Sequence, residues 1–348
     1  MRAWIVRSGR AGEREQWALA QGFTGGGFGG VSNLTTATSR DDVLSAVAAI
    51  HPAAPDGKLK NLAAQLWALR GRMDVGDLVV MPLKSGPQIA IGRITGEYTY
   101  REEEADLERR HVRPVQWLID DVPRTAIGQD LLHSLGAFTT ICEVSRNDAA
   151  WRLDRIRTTK RDPGARPPAR QAPTSQNGEG TGDADTEPID IERYARDQIA
   201  SRVIEVFSGH RLAELVAAVL TAEGFTCEVS PKGPDQGIDI VAGRGLLGLD
   251  PPRLLVQVKS EATAVGDPVV QQLEGVVSRQ GADQGLLVAW GGITREARQM
   301  VNTRRFAVKV WNSEDVLTGV FRNYSRLPAA IREELPLKQV WTLVAEPG

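Results

Sequence analysis

The chain has 348 residues, 41% of them hydrophobic and 25% charged, with a formal net charge of -2. This is ordinary globular composition on a chain too long for one typical core, so two domains are expected. The near-neutral charge argues against strong, indiscriminate affinity for nucleic acid, although a local basic face would be hidden in such a total. Cys142 and Cys227 suggest no disulfide framework, and four histidines without a CxxC argue against structural zinc. No apolar run reaches membrane-spanning length, so no membrane partner is expected. The start MRAWIVRSGRAGERE lacks a signal-peptide core, which makes the cytoplasm the expected compartment.

In chain order, MRAWIVR reads as a strand and EREQWALAQGF as a helix. The glycine-rich TGGGFGG that follows has neither a Walker lysine nor the strand-to-helix setting of a dinucleotide fingerprint, and is read as a turn. SRDDVLSAVAAI is a helix capped by Ser39. KLKNLAAQLWALRGRM is another, with Leu59, Leu62, Leu66 and Leu69 as its core stripe. Strands VGDLVVMPL, PQIAIGRITGEYTY and HVRPVQWL complete residues 1–157. This succession resembles a compact PUA/EVE-like β-barrel, an α+β domain of a superfamily that commonly binds nucleic acid, in several members holding a flipped, modified base between aromatic faces. The resemblance makes Trp4, Trp67, Tyr98, Tyr100 and Trp117 candidate pocket walls and Arg93, Arg101 and Arg113 candidate phosphate contacts. Core packing is the competing reading for each aromatic. Strand alternation in EYTYR predicts that Tyr98 and Tyr100 are exposed.

Residues 158–188, TTKRDPGARPPARQAPTSQNGEGTGDADTEP, contain no large apolar side chain. Such a segment cannot offset the entropy of folding and is expected to be a disordered linker, basic first (Lys160, Arg161, Arg166, Arg170) and acidic later (Glu179, Asp183, Asp185, Glu187). Its r.m.s. span would be roughly 30 Å.

Residues 189–322 carry the chemistry. RLAELVAAVLTAEGF places Leu212, Leu215, Val216, Val219 and Leu220 at helical spacing, with Gly224 as its stop and Glu214 near its start. In GIDIV, Asp239 lies between Ile238 and Ile240 and is expected to point away from the side on which those two pack. In LLVQVKS, Leu255, Gln257 and Lys259 share one face of a strand, Val256 and Val258 the other. A pair of polar residues on an apolar strand is costly to bury without partners. Phosphodiester cleavage needs a nucleophilic water, neutralised phosphate charge and help for the leaving oxygen, and a hard divalent cation on oxygen ligands meets the first two needs. Asp239 and Glu214 would be the anionic ligands, with the side-chain oxygen of Gln257 or the carbonyl of Val258 a neutral one. Lys259 would orient or deprotonate the water, or stabilise the transition state.

The set resembles the Mrr-like branch of the PD-(D/E)xK restriction endonucleases over about 110 residues, from AELVAAVLTAEGF through GPDQGIDIVA and LLVQVKS to VVQQLEGVV and GADQGLLVAWGGITREAR. The resemblance implies an α/β (α+β) fold with a mixed central sheet flanked by helices, and an active site of Glu214, Asp239, Gln257 and Lys259. It also implies Mg2+, with Mn2+ as a substitute, and double-stranded DNA as substrate. Gln236 stands where the family usually has glycine, and GRGLLGLDPP lengthens the hairpin between the catalytic strands; neither removes a catalytic group. Asp235 reads equally as a turn residue or as a further acid.

The resulting expectation is a restriction or defence endonuclease, with dependence on modified DNA and a homodimer as further expectations. A structure-specific repair nuclease, a ligand-gated nuclease and a non-cleaving DNA-binding module are the alternatives. Residues 323–348 are read as an extension that either docks on the nuclease domain or pairs two chains.

Overall fold

Burial on both faces of its first strand organises the N-terminal half. In β1 (Ala3–Val6) the apolar run AWIV is buried throughout. Trp4 and Val6 join a cluster with Val79, Ile94 and Val115, while Ala3 and Ile5 join another with Leu78, Val80, Ile89 and Val122. Such alternation is what a central strand with both faces covered produces. The computed structural model describes residues 1–10, 12–136, 139–166, 190–231, 237–303 and 306–341.

After β1 come α1 (Glu15–Gln21), β2 (Phe23–Gly25), α2 (Arg40–Ile50), α3 (Asp56–Trp67), β3 (Leu78–Pro82), β4 (Gln88–Ile94), β5 (Thr99–Tyr100), β6 (His111–Pro123), α4 (Gln129–Ser134), β7 (Ile141–Glu143) and α5 (Ala149–Thr159). The sheet runs β2-β6-β4-β3-β1-β7, with β5 on β6. All described pairs are antiparallel except β1 with β3. This half-barrel path is compatible with the expected α+β domain, and the described pairings do not join β2 to β7. Ser39 caps α2 in a reciprocal box with Asp42, as its position before the apolar run predicts. Leu66 and Leu69 are buried, with Leu59 and Leu62 packed beside them.

The second half contains α6 (Ile191–Val206), α7 (His210–Ala222), β8 (Thr226–Val229), β9 (Ile240–Arg244), β10 (Asp250–Lys259), α8 (Asp267–Gln280), β11 (Gln284–Ala289), α9 (Arg295–Thr303), β12 (Val308–Trp311), α10 (Ser313–Asn323) and α11 (Ala329–Glu334). Among the described residues its five strands lie in the order β12-β11-β10-β9-β8. β10, β11 and β12 are parallel, while β9 is antiparallel to both β10 and β8. Leu212, Leu215, Val216, Val219 and Leu220 of α7 pack on one face with Ile240, Leu254 and Val256; α8 and α9 cover the other face with Leu255, Leu287 and Ala289. The mixed sheet flanked by helices is therefore present.

Two expectations about the chain's connections change. Of the linker anticipated at 158–188, residues 167–189 lie outside the described residues, but the first part is packed. Thr158 and Thr159 finish α5, Lys160 pairs with Asp121 at 2.7 Å, and Asp162 accepts from Arg152 and from the Gly128 amide at 2.8 Å. Buried Arg152 needs anionic partners, and this need orders a segment that has no apolar side chains of its own. The C-terminal segment docks on the second half: Leu327 and Leu335 are buried in the α7 cluster, and Glu334 pairs with Arg211 at 2.8 Å. Among the described residues, no helix is long and apolar enough to cross a membrane.

Candidate active site

Asp239 sits one residue before β9 and is held on both sides by its main chain. Its amide donates to the Val256 carbonyl at 2.9 Å and its carbonyl accepts from the Ser230 amide at 2.9 Å. The carboxylate then takes a place in the ladder, with Oδ2 accepting from the Val258 amide at 2.7 Å. The amide and carbonyl of one strand residue point to the same edge, so the Val258 carbonyl lies on the Asp239 edge of β10 as well. An acid and a main-chain oxygen are thereby gathered at the end of the central strand.

The two isoleucines beside Asp239 do not share a side. Ile238 packs with Leu255 and Val270 under α8, whereas Ile240 packs under α7. Regular strand geometry begins only at Ile240, because the chain enters through Gly237 at φ +80°. A Cβ at Gly237 would lie 2.8 Å from Gln257 Nε2, so glycine here both permits the turn and leaves room for the glutamine amide.

Along β10 the alternation is as read. Leu254 and Val256 face α7; Leu255 and Gln257 face α8, Gln257 being only 3% exposed. Lys259 is half-buried at the strand's end, its carbonyl accepting from the Trp290 amide at 2.8 Å. The hydroxyl of Ser260, the next residue, accepts from the Gly209 amide at 3.0 Å, which ties the start of α7 to the end of β10. Glu214 lies one turn further along α7. It is 49% exposed, with its carboxylate 3.8 Å from His210 Nε2 and 3.7 Å from Arg211 Nε. Asp239 thus meets the main chain of the strand segment that bears Gln257, Val258 and Lys259, and Glu214 stands on the neighbouring helix with charge contacts inside that helix. His210 and Ser260 were not singled out in the sequence. Their signals are local: a histidine four residues before the acid on one helix face, and a serine directly after the lysine.

Among the described residues, no group of three or more His, Cys, Asp or Glu side chains could hold a metal ion. A set of two acids completed by neutral oxygens does not require such a group, and hard oxygen donors suit a hard divalent cation. Asp235 and Gln236 lie outside the described residues.

The N-terminal candidates form no exposed aromatic pocket. Tyr98 is 8% exposed, its hydroxyl 2.8 Å from His111 Nδ1 and accepting from the Leu34 amide at 3.4 Å; burial pushes its pKa up to about 12. Tyr100, half-buried, stands edge-on to the His111 ring at 5.0 Å. The two tyrosines share a side, as alternation requires, but that side meets the α2–α3 core. Arg113 is 1% exposed and donates to the Leu69, Arg70 and Gly96 carbonyls, satisfying the end of the helical segment after α3 rather than phosphate. Trp4 is a core residue bonded to Asp77 at 3.0 Å. Trp117 donates to the Ala18 carbonyl at 2.8 Å, and Trp67 packs half-buried against the same core. Arg93 pairs with Asp154 at 3.1 Å. Arg101 pairs with Glu103 and Glu104 and covers Phe23, which stacks on Trp17 at 5.9 Å, an aromatic pair that no periodic signal in the sequence marks out.

Comparison with known families matches residues 204–318 to the family described as Restriction endonuclease, the Mrr catalytic domain, and residues 4–134 to a domain of unknown function, DUF8426. No curated protein matches. Among solved structures, a protein of unknown function, AF1548, is 18% identical at TM-score 0.25, covering 31% of this chain and 64% of its own. The DNA modification-dependent restriction endonuclease AspBHI is 14% identical at TM-score 0.33, covering 90% and 79%. The MspJI restriction endonuclease in complex with a 27-mer oligonucleotide is 15% identical at TM-score 0.32, covering 96% and 79%. The family match falls on the segment that holds Glu214, Asp239, Gln257 and Lys259, and on this ground residues 204–318 are a restriction endonuclease domain of the Mrr catalytic family, a DNA endonuclease domain.

Proposed function

We propose that the chain cuts double-stranded DNA in a restriction or defence role, using Mg2+ held by Asp239, Glu214 and the Val258 carbonyl or the Gln257 side chain. The observation that carries this reading is the hydrogen bond from the Val258 amide to the Asp239 carboxylate, which fixes an acid against the strand segment bearing Gln257 and Lys259. When bound, the cation supplies positive charge for the phosphate and makes water easier to deprotonate. Asp239 is positioned by three main-chain contacts, so it meets a cation with little reorganisation. Lys259, at the end of β10, orients the attacking water or balances charge on the phosphate.

The half-barrel domain is the proposed reader of DNA, with modified bases as the class it selects, and the chain acts as a homodimer in the cytoplasm. The support is the superfamily resemblance together with the direct packing of that domain on the nuclease. The test is plasmid cleavage, on modified and unmodified DNA, with Mg2+ or EDTA. Wild type is expected to cut with Mg2+ only, and Asp239→Ala and Lys259→Ala to lose at least about a hundredfold in rate. Full activity in either variant removes the site assignment. Equal cutting of both DNAs removes the selection for modified bases and leaves an endonuclease.

A further inference from the structure

The N-terminal domain touches the nuclease directly behind its catalytic lysine. Gln88 opens β4 with its main chain in the N-terminal sheet, yet its side chain, 1% exposed, leaves that domain. Its Nε2 donates to the Gly291 carbonyl at 3.3 Å and to the Ile293 carbonyl at 3.5 Å, and its Oε1 accepts from Arg298 Nη2 at 3.2 Å. Each bond is long, but together they occupy both ends of a buried amide, which is costly to leave unpaired.

The turn that Gln88 grips connects β11 to α9, and its other side is laced to the segment after Lys259. The Trp290 amide donates to the Lys259 carbonyl at 2.8 Å, the Gly291 amide to the Glu261 carbonyl at 3.2 Å, and the Val265 amide to the Gly292 carbonyl at 2.9 Å. There is no slack on either side. A Cβ at Gly291 would lie 2.5 Å from the Ala262 carbonyl oxygen, and one at Gly292, where φ is +81°, would lie 2.9 Å from Gln88 Nε2. Gln88, the turn and the Lys259 segment therefore form three successive layers, each in contact with the next.

We infer that Gln88 is a positioning residue for the nuclease. By holding the β11–α9 turn it sets where β10 ends and where Lys259 stands, so that the placement of the N-terminal domain is felt in the chemical step. The inference rests on the proposed assignment of Asp239 and Lys259. It requires no contact between Gln88 and DNA.

The experiment uses the full chain with Mg2+ and plasmid DNA, comparing wild type, Gln88→Ala, Gln88→Glu, Gly292→Ala and Asp239→Ala. Gln88→Glu keeps an acceptor for Arg298 but has no donor for the two carbonyls. Displacement of a reacting group by about 1 Å costs up to about a hundredfold in rate, so kcat in both Gln88 variants is expected to fall roughly ten- to a hundredfold, with KM for DNA within about twofold. Gly292→Ala, which pushes on the turn from its own side, is expected to do the same should Gln88→Ala fold poorly. Amide hydrogen exchange supplies a readout independent of cleavage: Trp290 and Gly291 are expected to exchange faster in the Gln88 variants, and Leu287, inside β11, to be unchanged. Unchanged kcat with unchanged exchange overturns the inference, as does a rise in KM alone, which would make Gln88 a DNA-binding residue. Cutting by Asp239→Ala overturns the site assignment instead, and the exchange data would still report whether Gln88 holds the turn.

Discussion

Removing Asp197 is expected to cost more stability than removing the arginine that grips it, although both changes delete the same ion pair. Asp197 of α6 is 7% exposed and sits where the two halves of the chain meet. Arg124, after β6, binds it through Nε at 3.0 Å and through Nη2, and Arg193, one turn earlier on α6, reaches it at 3.2 Å. In Asp197→Ala the Arg124 guanidinium, with its side chain 4% exposed, loses its bidentate partner, whereas Arg193 keeps Glu314 at 2.8 Å. An uncompensated buried charge costs about 3–5 kcal/mol. In Arg124→Ala the carboxylate keeps Arg193, and the loss is that of charged hydrogen bonds, about 1.5–3 kcal/mol. The double variant, with neither charge stranded, is expected to be less destabilised than the sum of the two. Urea unfolding followed by tryptophan fluorescence measures all three. A larger loss in Arg124→Ala than in Asp197→Ala, or strict additivity in the double variant, would refute the reasoning.

Two further outcomes follow from particular contacts. Burial holds the His111 imidazole below its ordinary value of 6.5, the hydrogen bond to the Val31 carbonyl opposing this only in part. A carbonyl only accepts, so Nε2 carries the proton and Nδ1 accepts from Tyr98. Between the folded and unfolded values the unfolded chain binds more protons, so this contribution is fully present above about pH 6.5 and is lost as pH falls towards the folded value. Melting temperatures at pH 7.5 and 5 should show a drop that His111→Gln largely abolishes. Leu335 is 1% exposed in the α7 cluster, and Leu335→Ala should cost about 2–5 kcal/mol in urea unfolding; a loss below about 0.5 kcal/mol would mean that the C-terminal segment is not docked in solution.

Strand β10 and helix α7 of the candidate site were legible from sequence because their signals are periodic and local. Alternation in LLVQVKS separated Gln257 and Lys259 from Val256 and Val258, and helical spacing in RLAELVAAVL identified the buried stripe of α7, which the structure reproduces residue by residue. Period alone states which side chains share a face; it does not state which face meets the core. The expectation for Tyr98 failed at that step: it shares a side with Tyr100, but that side lies against α2 and α3. Arg113 was misread for a related reason, since the carbonyls that consume its guanidinium belong to Leu69, Arg70 and Gly96, distant in sequence.

By itself, then, the sequence indicated the α/β character of the second half, the buried stripe of α7 and the alternation of β10, and it proposed the acids and lysine of the candidate site, all from side-chain type at short spacing, whereas the short elements β2, α4 and β7 and the helices α5 and α6 carried no signal that was read. Only the tertiary structure decided that Lys160 and Asp162 are tied down by Asp121 and Arg152, that Ile238 and Ile240 pack on opposite sides of the sheet, and that Gln88 reaches Gly291. Each of these depends on groups remote in the chain finding a partner once water is excluded, and no local pattern encodes which partner that will be.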